Sequence, residues 1–261
     1  MAMLRRRGRW WRAEAVAPRA AGRSEQGPVR SQNQDACLVD PAAGLFAVAD
    51  GIGGHRAGDV AAGLAVEHLA AALERARLAR GRSERAALAA ALVELHELVL
   101  ARAAADPGLA GMGTTLVAAS VPGGKGGRGV HLAHLGDSRA YQLPAAGEGL
   151  RPLTSDHSAA NLLAGWGAIS AEEAASHPFA RHLTRAIGLA GSEGPSTATL
   201  TLAPGDRLLL CSDGLTGALD DDRIGALLAA ASGPEAACDA LVEAAIDAGA
   251  TDNVTALVVQ A

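Results

Sequence analysis

The 261-residue chain is 49% hydrophobic but only 2% aromatic, with a net charge of −5. That composition predicts one large domain with a core built from Ala, Leu and Val, and it excludes a general nucleic-acid binder. No run approaches the ~18 uninterrupted apolar residues of a membrane span, and the cysteines Cys37, Cys211 and Cys238 are odd in number, widely spaced and without a C-x-x-C pair. A soluble cytoplasmic protein with no disulfide framework and no thiolate zinc site is the expectation.

In chain order, residues 1–20 read as a basic, flexible leader. Residues 1–30 carry eight Arg against two Glu, a charge run that suits a solvated tail, with the Trp10-Trp11 pair inside it. The segment MAMLRRRGRWWR lacks the apolar stretch of a secretory signal. Residues 21–261 are then a single domain. It opens with GPVRSQNQDACLVD and GLFAVADGIGG, each a strand-like apolar segment joined to a polar, carboxylate-bearing end. Two Ala/Leu-rich helices follow, over about 59–80 and 83–105. Ser83 caps the second, and Asp106-Pro107-Gly108 stops it.

Short β-like runs come next: Thr114–Ser120, Val130–Leu135 and Ala140–Leu143. The turn PGGKGG between the first two lacks the Lys-Ser/Thr of a phosphate-binding loop and reads as a hairpin connection. The stretch Leu153–Pro195 is polar, His-bearing and Gly-punctuated, with short helical pieces, and reads as an insertion over a surface. Strand signals resume at Thr197–Leu202 and Arg207–Cys211. Helices over about 221–231 and 234–248 and a closing strand, Val254–Val259, complete the chain. Hairpin-like strands with helices in pairs predict antiparallel sheets under helical layers.

Four aspartates share one local setting. Asp50 and Asp213 each end an apolar run and precede Gly; Asp137 follows Val130–Leu135 and Gly136; Asp252 precedes Asn253 and the last strand. A lone Asp-Gly is a common turn. Several carboxylates converging near strand ends would repel without a cation, and hard oxygen donors without Cys or His clusters favour Mg²⁺ or Mn²⁺.

The chain resembles the protein phosphatase 2C family, the metal-dependent Ser/Thr phosphatases, in its bacterial form. The resemblance rests on VRSQNQDA, VADGIGGHRAG, GMGTT, HLGDSRAY, LTSDHS, LTRAIG, LLLCSDGL and TDNVTALVV, in family order across about residues 22–260. It implies an α+β fold, a four-layer α/β/β/α sandwich of two antiparallel sheets flanked by helices. It implies hydrolysis of phosphoserine and phosphothreonine in proteins by a water activated by two Mn²⁺ or Mg²⁺ ions, opposing a Ser/Thr kinase, in a monomeric protein.

Residue by residue, the resemblance implies that Asp50 bridges the two metals, Asp213 and Asp252 complete the first, and the Gly51 carbonyl serves the second. Asp35 orients the nucleophile, Arg30 receives the phosphate, and Asp137 with Asp213 marks a weaker third metal site. Leu153–Pro195 corresponds to a flap beside the active site. Two positions depart from the pattern. Ile52 stands where eukaryotic members carry a histidine proposed as general acid, and cannot donate a proton. Gln34 replaces a Glu common beside the Asp, and adds no charge. His55 and His157 read as structural. His68 and His96 read as helix residues, surface or satisfied; His131, His134, His177 and His182 lack ligand spacing, and Asp59 and Asp156 receive no catalytic role. The rival expectations are a catalytically weak phosphoprotein-binding signalling module and a phosphatase for small phosphoesters.

Overall fold

The computed structural model describes residues 18–52, 57–122, 128–147 and 149–261. The chain begins with β1 (Arg19–Glu25), β2 (Asp35–Asp40) and β3 (Leu45–Ile52), followed by α1 (Ala57–Arg77) and α2 (Glu84–Ala105). A 3₁₀ turn, Pro107–Leu109, leads into β4 (Gly113–Thr114), β5 (Leu116–Ser120), β6 (Arg128–Leu135), β7 (Arg139–Leu143) and β8 (Arg151–Pro152). Then come α3 (Ala159–Gly165), α4 (Ala171–Ser176), β9 (Ser196–Leu202) and β10 (Arg207–Cys211). The short α5 (Asp213–Thr216), α6 (Asp221–Ala230), α7 (Pro234–Asp247) and β11 (Val254–Gln260) close the fold.

Two antiparallel sheets result, one ordered β1-β11-β10-β7-β8 and the other β2-β3-β5-β6-β9, with β4 added against the end of β3. The side-chain period of two explains the layers. In β3, Leu45, Ala47 and Ala49 join a core with α1 and α2, while Phe46 and Val48 face the other sheet. In β10, Leu209 and Cys211 pack toward α6 and α7, and Leu208 and Leu210 fill the space between sheets. Strands covered on both faces read as continuous apolar runs, as these do. The expected α/β/β/α sandwich is the observed architecture.

The low aromatic content is met by close helix packing. Along α1 the buried positions are Gly58, Ala61, Ala62, Ala65, Leu69, Ala72, Leu73 and Ala76, nearly all small. They spiral at helical spacing and meet Ala87, Leu88, Ala91, Leu92, Leu95 and Val99 of α2. Ser83 caps α2 as expected, accepting from the Ala86 N–H.

The strand β1 was not anticipated. It begins at Arg19, inside the stretch read as leader, and pairs along its full length with β11. Its sequence, RAAGRSE, has no apolar alternation: it is an edge strand, nowhere fully buried, with Ala21 packed on the α6–α7 side and Ala20 toward the other sheet. Residues 1–17, with Trp10 and Trp11, lie outside the described residues, as does His55. The loop of PGGKGG lies outside them as well from residue 123 on, but β5 and β6 are antiparallel neighbours, so it joins a hairpin. No helix among the described residues is long and apolar enough to cross a membrane.

Candidate active site

The first carboxylates are placed by strand pairing. In the β2–β3 ladder Asp35 lies directly opposite Asp50, so two like charges face each other at one end of a sheet. Asp50 is fixed through its backbone: its N–H donates to Thr115 Oγ1 at 3.0 Å, and its carbonyl accepts from the Thr115 N–H at 2.8 Å and from Thr114 Oγ1 at 2.9 Å. Thr115 Oγ1 is in turn 2.6 Å from Ser138 Oγ, which couples the Asp50 strand to the turn bearing Asp137. Gly51 permits the next contact. A Cβ there would lie 2.4 Å from the Gly58 carbonyl, so only glycine lets the start of α1 close over β3.

The opposite sheet brings the remaining aspartates. Asp213 begins α5 immediately after β10, and Asp252 precedes β11. Asn253 locks this corner: its Oδ1 accepts from the Gln34 N–H at 2.9 Å and its Nδ2 donates to the Gln26 and Gln32 carbonyls. Asp35 receives Ser212 Oγ at 2.7 Å and Thr255 Oγ1 at 2.6 Å, both on Oδ2. Its Oδ1 is buried without a hydrogen-bond partner among the described residues, and so is Asp213 Oδ1.

One cavity of about 240 Å³ gathers Arg30, Gln34, Asp50, Gly51, Ile52, Asp137, Asp213 and Asp252 from these separate elements. Asp35 stands beside it as the ladder partner of Asp50. Arg30 donates to Asp252 Oδ2 at 2.6 Å. The residue read as the phosphate ligand is therefore paired with one read as a metal ligand, though a guanidinium has further N–H donors.

The electrostatics follow from burial first and mutual repulsion second. Burial raises Asp50 well above the usual carboxylate range, with the charges of Asp35, Asp213, Asp137 and Asp252 adding to it. Burial lifts Asp137 to about 7 and Asp35 to about 6, and raises Asp213 as well. Among the described residues no three acidic, His or Cys side chains already stand as a ready-made ligand cluster. Asp50, Asp137, Asp213 and Asp252 share a pocket, and Asp35 and Asp213 each carry a buried oxygen without a partner among the described residues. A divalent cation would neutralise their combined charge. An all-oxygen donor set of this kind fits Mg²⁺ or Mn²⁺.

His157 is held within the fold, as expected. Its Nδ1 accepts from the Gly136 N–H at 3.2 Å, and its Nε2 lies 2.9 Å from Ser196 Oγ. It stacks on His134 at 4.4 Å between ring centroids, and burial drives its pKa down to about 3, so it stays neutral. His96 accepts from the Gly188 N–H at 3.2 Å. Asp156 holds Arg139 through two bonds of 2.8 and 2.7 Å. Sequence reasoning missed Arg181 and Leu183, which the stretch after α4 carries to the cavity. Leu183 opens the LTRAIG motif and both lie in the stretch read as a flap, but no local signal assigns either to the cavity. The bridges Ser158↔Leu183 and Thr114↔Ile187 bring that stretch back to the site.

A family model described as Protein phosphatase 2C matches residues 27–248. The chain is 41% identical to the serine/threonine protein phosphatase PstP of Mycobacterium tuberculosis, covering 92% of this chain but 44% of that protein, so it spans less than half that relative's length. It is 36% identical to the serine/threonine phosphatase stp of Listeria welshimeri, covering 91% of this chain and 94% of the relative. The solved catalytic domain of PstP in complex with two manganese ions is 35% identical and superposes with a TM-score of 0.78, over 94% of this chain and 98% of that one.

Proposed function

The chain belongs to the protein phosphatase 2C family, and on that premise we propose that it hydrolyses phosphoserine and phosphothreonine in proteins by direct attack of water, opposing a Ser/Thr kinase as a cytoplasmic monomer. The observation that carries the reading is the convergence of Asp50, Asp137, Asp213 and Asp252 with Arg30 in one cavity. Free cysteines at positions 37, 211 and 238 suit a reducing compartment.

Asp50, Asp213 and Asp252, with the Gly51 carbonyl, are the groups that would hold Mn²⁺ or Mg²⁺, and Asp137 with Asp213 those for a further ion. Bound there, the metals lower the pKa of water and offset charge on the phosphoryl oxygens. The chain's own groups do the rest. Asp35, fixed through Oδ2 by Ser212 and Thr255, keeps Oδ1 as the acceptor that orients the attacking water. Arg30 keeps one N–H on Asp252 and turns its remaining donors to the phosphate oxygens, a geometry a planar guanidinium suits. Ile52 lines the cavity but carries no proton, so the leaving alkoxide is not protonated from that position.

The test is turnover of a phosphothreonine peptide by wild type and Asp213→Asn, with Mn²⁺ and with chelator. Wild type should turn over only with metal, and Asp213→Asn should lose more than the ~10–100-fold typical of an outer-shell partner. Absence of metal-dependent turnover in wild type overturns the proposal.

A further inference from the structure

Beside the main cavity lies a second pit of about 190 Å³, room for about six waters. It is lined by Gly214, Gly217 and Ala218 of the α5 turn, by residues 248–251 of the loop before β11, and by Asp213 and Asp252. Its wall is otherwise Gly, Ala and Thr. Arg181 alone among its cations lines both this pit and the main cavity.

The two arginines of the site differ in their freedom. Arg30 is tied to Asp252 at 2.6 Å. The Arg181 side chain is exposed and makes no hydrogen bond or ion pair among the described residues. Its guanidinium hangs over the α5 turn, where a Cβ built on Gly217 would lie 3.6 Å from Nη2. The carboxylates that share the pit, Asp213 and Asp252, are those assigned above to the metals, and the charge of Arg181 already favours the ionised form of Asp213 without a hydrogen bond to it. That leaves an exposed guanidinium where the pit meets the cavity assigned above to the phosphate.

We propose that Arg181 and this pit form a subsite that reads an acidic side chain next to the phosphorylated residue, making Arg181 a specificity-determining residue for acidic phosphopeptides. The inference rests on the phosphatase reading and deepens it. Arg181 belongs to the segment read as the flap, so selectivity is set by an element separate from the aspartates that perform the chemistry.

The experiment compares kcat/KM for phosphothreonine peptides matched except for Glu, Ala or Lys flanking the phosphothreonine, in wild type, Arg181→Ala and Arg181→Glu. Wild type should favour Glu over Ala by about five-fold, the size of a well-formed exposed ion pair. Arg181→Ala should bring that ratio near one, and Arg181→Glu should invert it toward Lys. Fluorescence anisotropy with non-hydrolysable phosphonate versions of the peptides should show the same ratios in binding. The Glu/Ala ratio is internal to each variant, so a general loss of activity does not imitate the result. A ratio that survives in Arg181→Ala, or a parallel loss on all three peptides with the ratio intact, overturns the subsite and leaves the phosphatase standing. Failure of wild type to turn over any of the three peptides overturns the phosphatase reading, and this one with it.

Discussion

At the scale of single residues the site is a problem of charge. Asp35 and Asp50 face each other across a ladder, and Asp137, Asp213 and Asp252 converge on the same cavity. The chain stabilises the arrangement with short hydrogen bonds to a single oxygen of Asp35 and with one ion pair from Arg30. The Arg30 pair gives the arginine two partners, a carboxylate and, in the proposed reaction, a phosphate. Arg30→Ala should therefore raise KM for phosphothreonine peptides more than it lowers kcat, as loss of a group that binds substrate and transition state alike does. Steady-state kinetics at saturating Mn²⁺ read this directly, and an unchanged KM would remove Arg30 from the phosphate. Asp50, Asp137, Asp213 and Asp252 were legible from a shared local setting at strand ends, whereas Asp35 and Arg30 were named only through the family resemblance. The Arg30–Asp252 bond was not legible, because its partners are 222 residues apart.

At the scale of elements, each aspartate depends on the backbone around it. Gly214 follows Asp213 in α5, and a Cβ there would lie 1.9 Å from the Asn253 carbonyl oxygen. Gly214→Ala must push α5 away from the start of β11, separating Asp213 from Asp252. Overpacking of this kind costs about 1–3 kcal/mol. The chemical-denaturation midpoint should fall accordingly, with metal-dependent turnover lost beyond what the lower stability explains. The helices and the inner strands were readable from composition and period, since a strand covered on both faces is a continuous apolar run. The edge strand β1 was not, because RAAGRSE takes its structure from pairing with β11 and not from its own pattern. The stretch Leu153–Pro195 was read from its pattern as an insertion over a surface, and from the family resemblance as a flap beside the active site. That its later half returns to the cavity follows from bridges to Thr114 and Ser158, which no local signal encodes.

At the scale of the whole molecule, the buried carboxylates make stability depend on pH and metal together. Asp35 and Asp137 have folded pKa values of about 6 and about 7, raised from 3.8. Between about pH 4 and pH 7 these carboxylates hold more protons folded than unfolded, so their contribution to stability falls as pH rises. His157 and His134, lowered by burial, work in the opposite sense below about pH 6.5, and the four raised aspartates of the site outweigh them. A cation at the site reverses the sign of the local field and favours the ionised carboxylates. Chelated protein should therefore melt at a lower temperature at pH 7.5 than at pH 5, and Mn²⁺ should raise the melting temperature most at the higher pH. A chelated melting temperature that rose steadily from pH 5 to 7.5 would contradict the charge arrangement described here.

The sequence by itself marked the helix pairs, most of the strands and the candidate carboxylates, because period, caps and short motifs are properties of neighbouring residues. The four-layer sandwich was legible only through the family resemblance, since local pattern does not choose how sheets stack. The tertiary structure decided which oxygens are held and which are left without a partner, that Arg30 is tied to Asp252, and that Arg181 reaches the site at all. Those facts arise where two sheets and a returning loop meet. They depend on contacts between residues far apart in the chain, and only folding brings such residues within hydrogen-bonding distance.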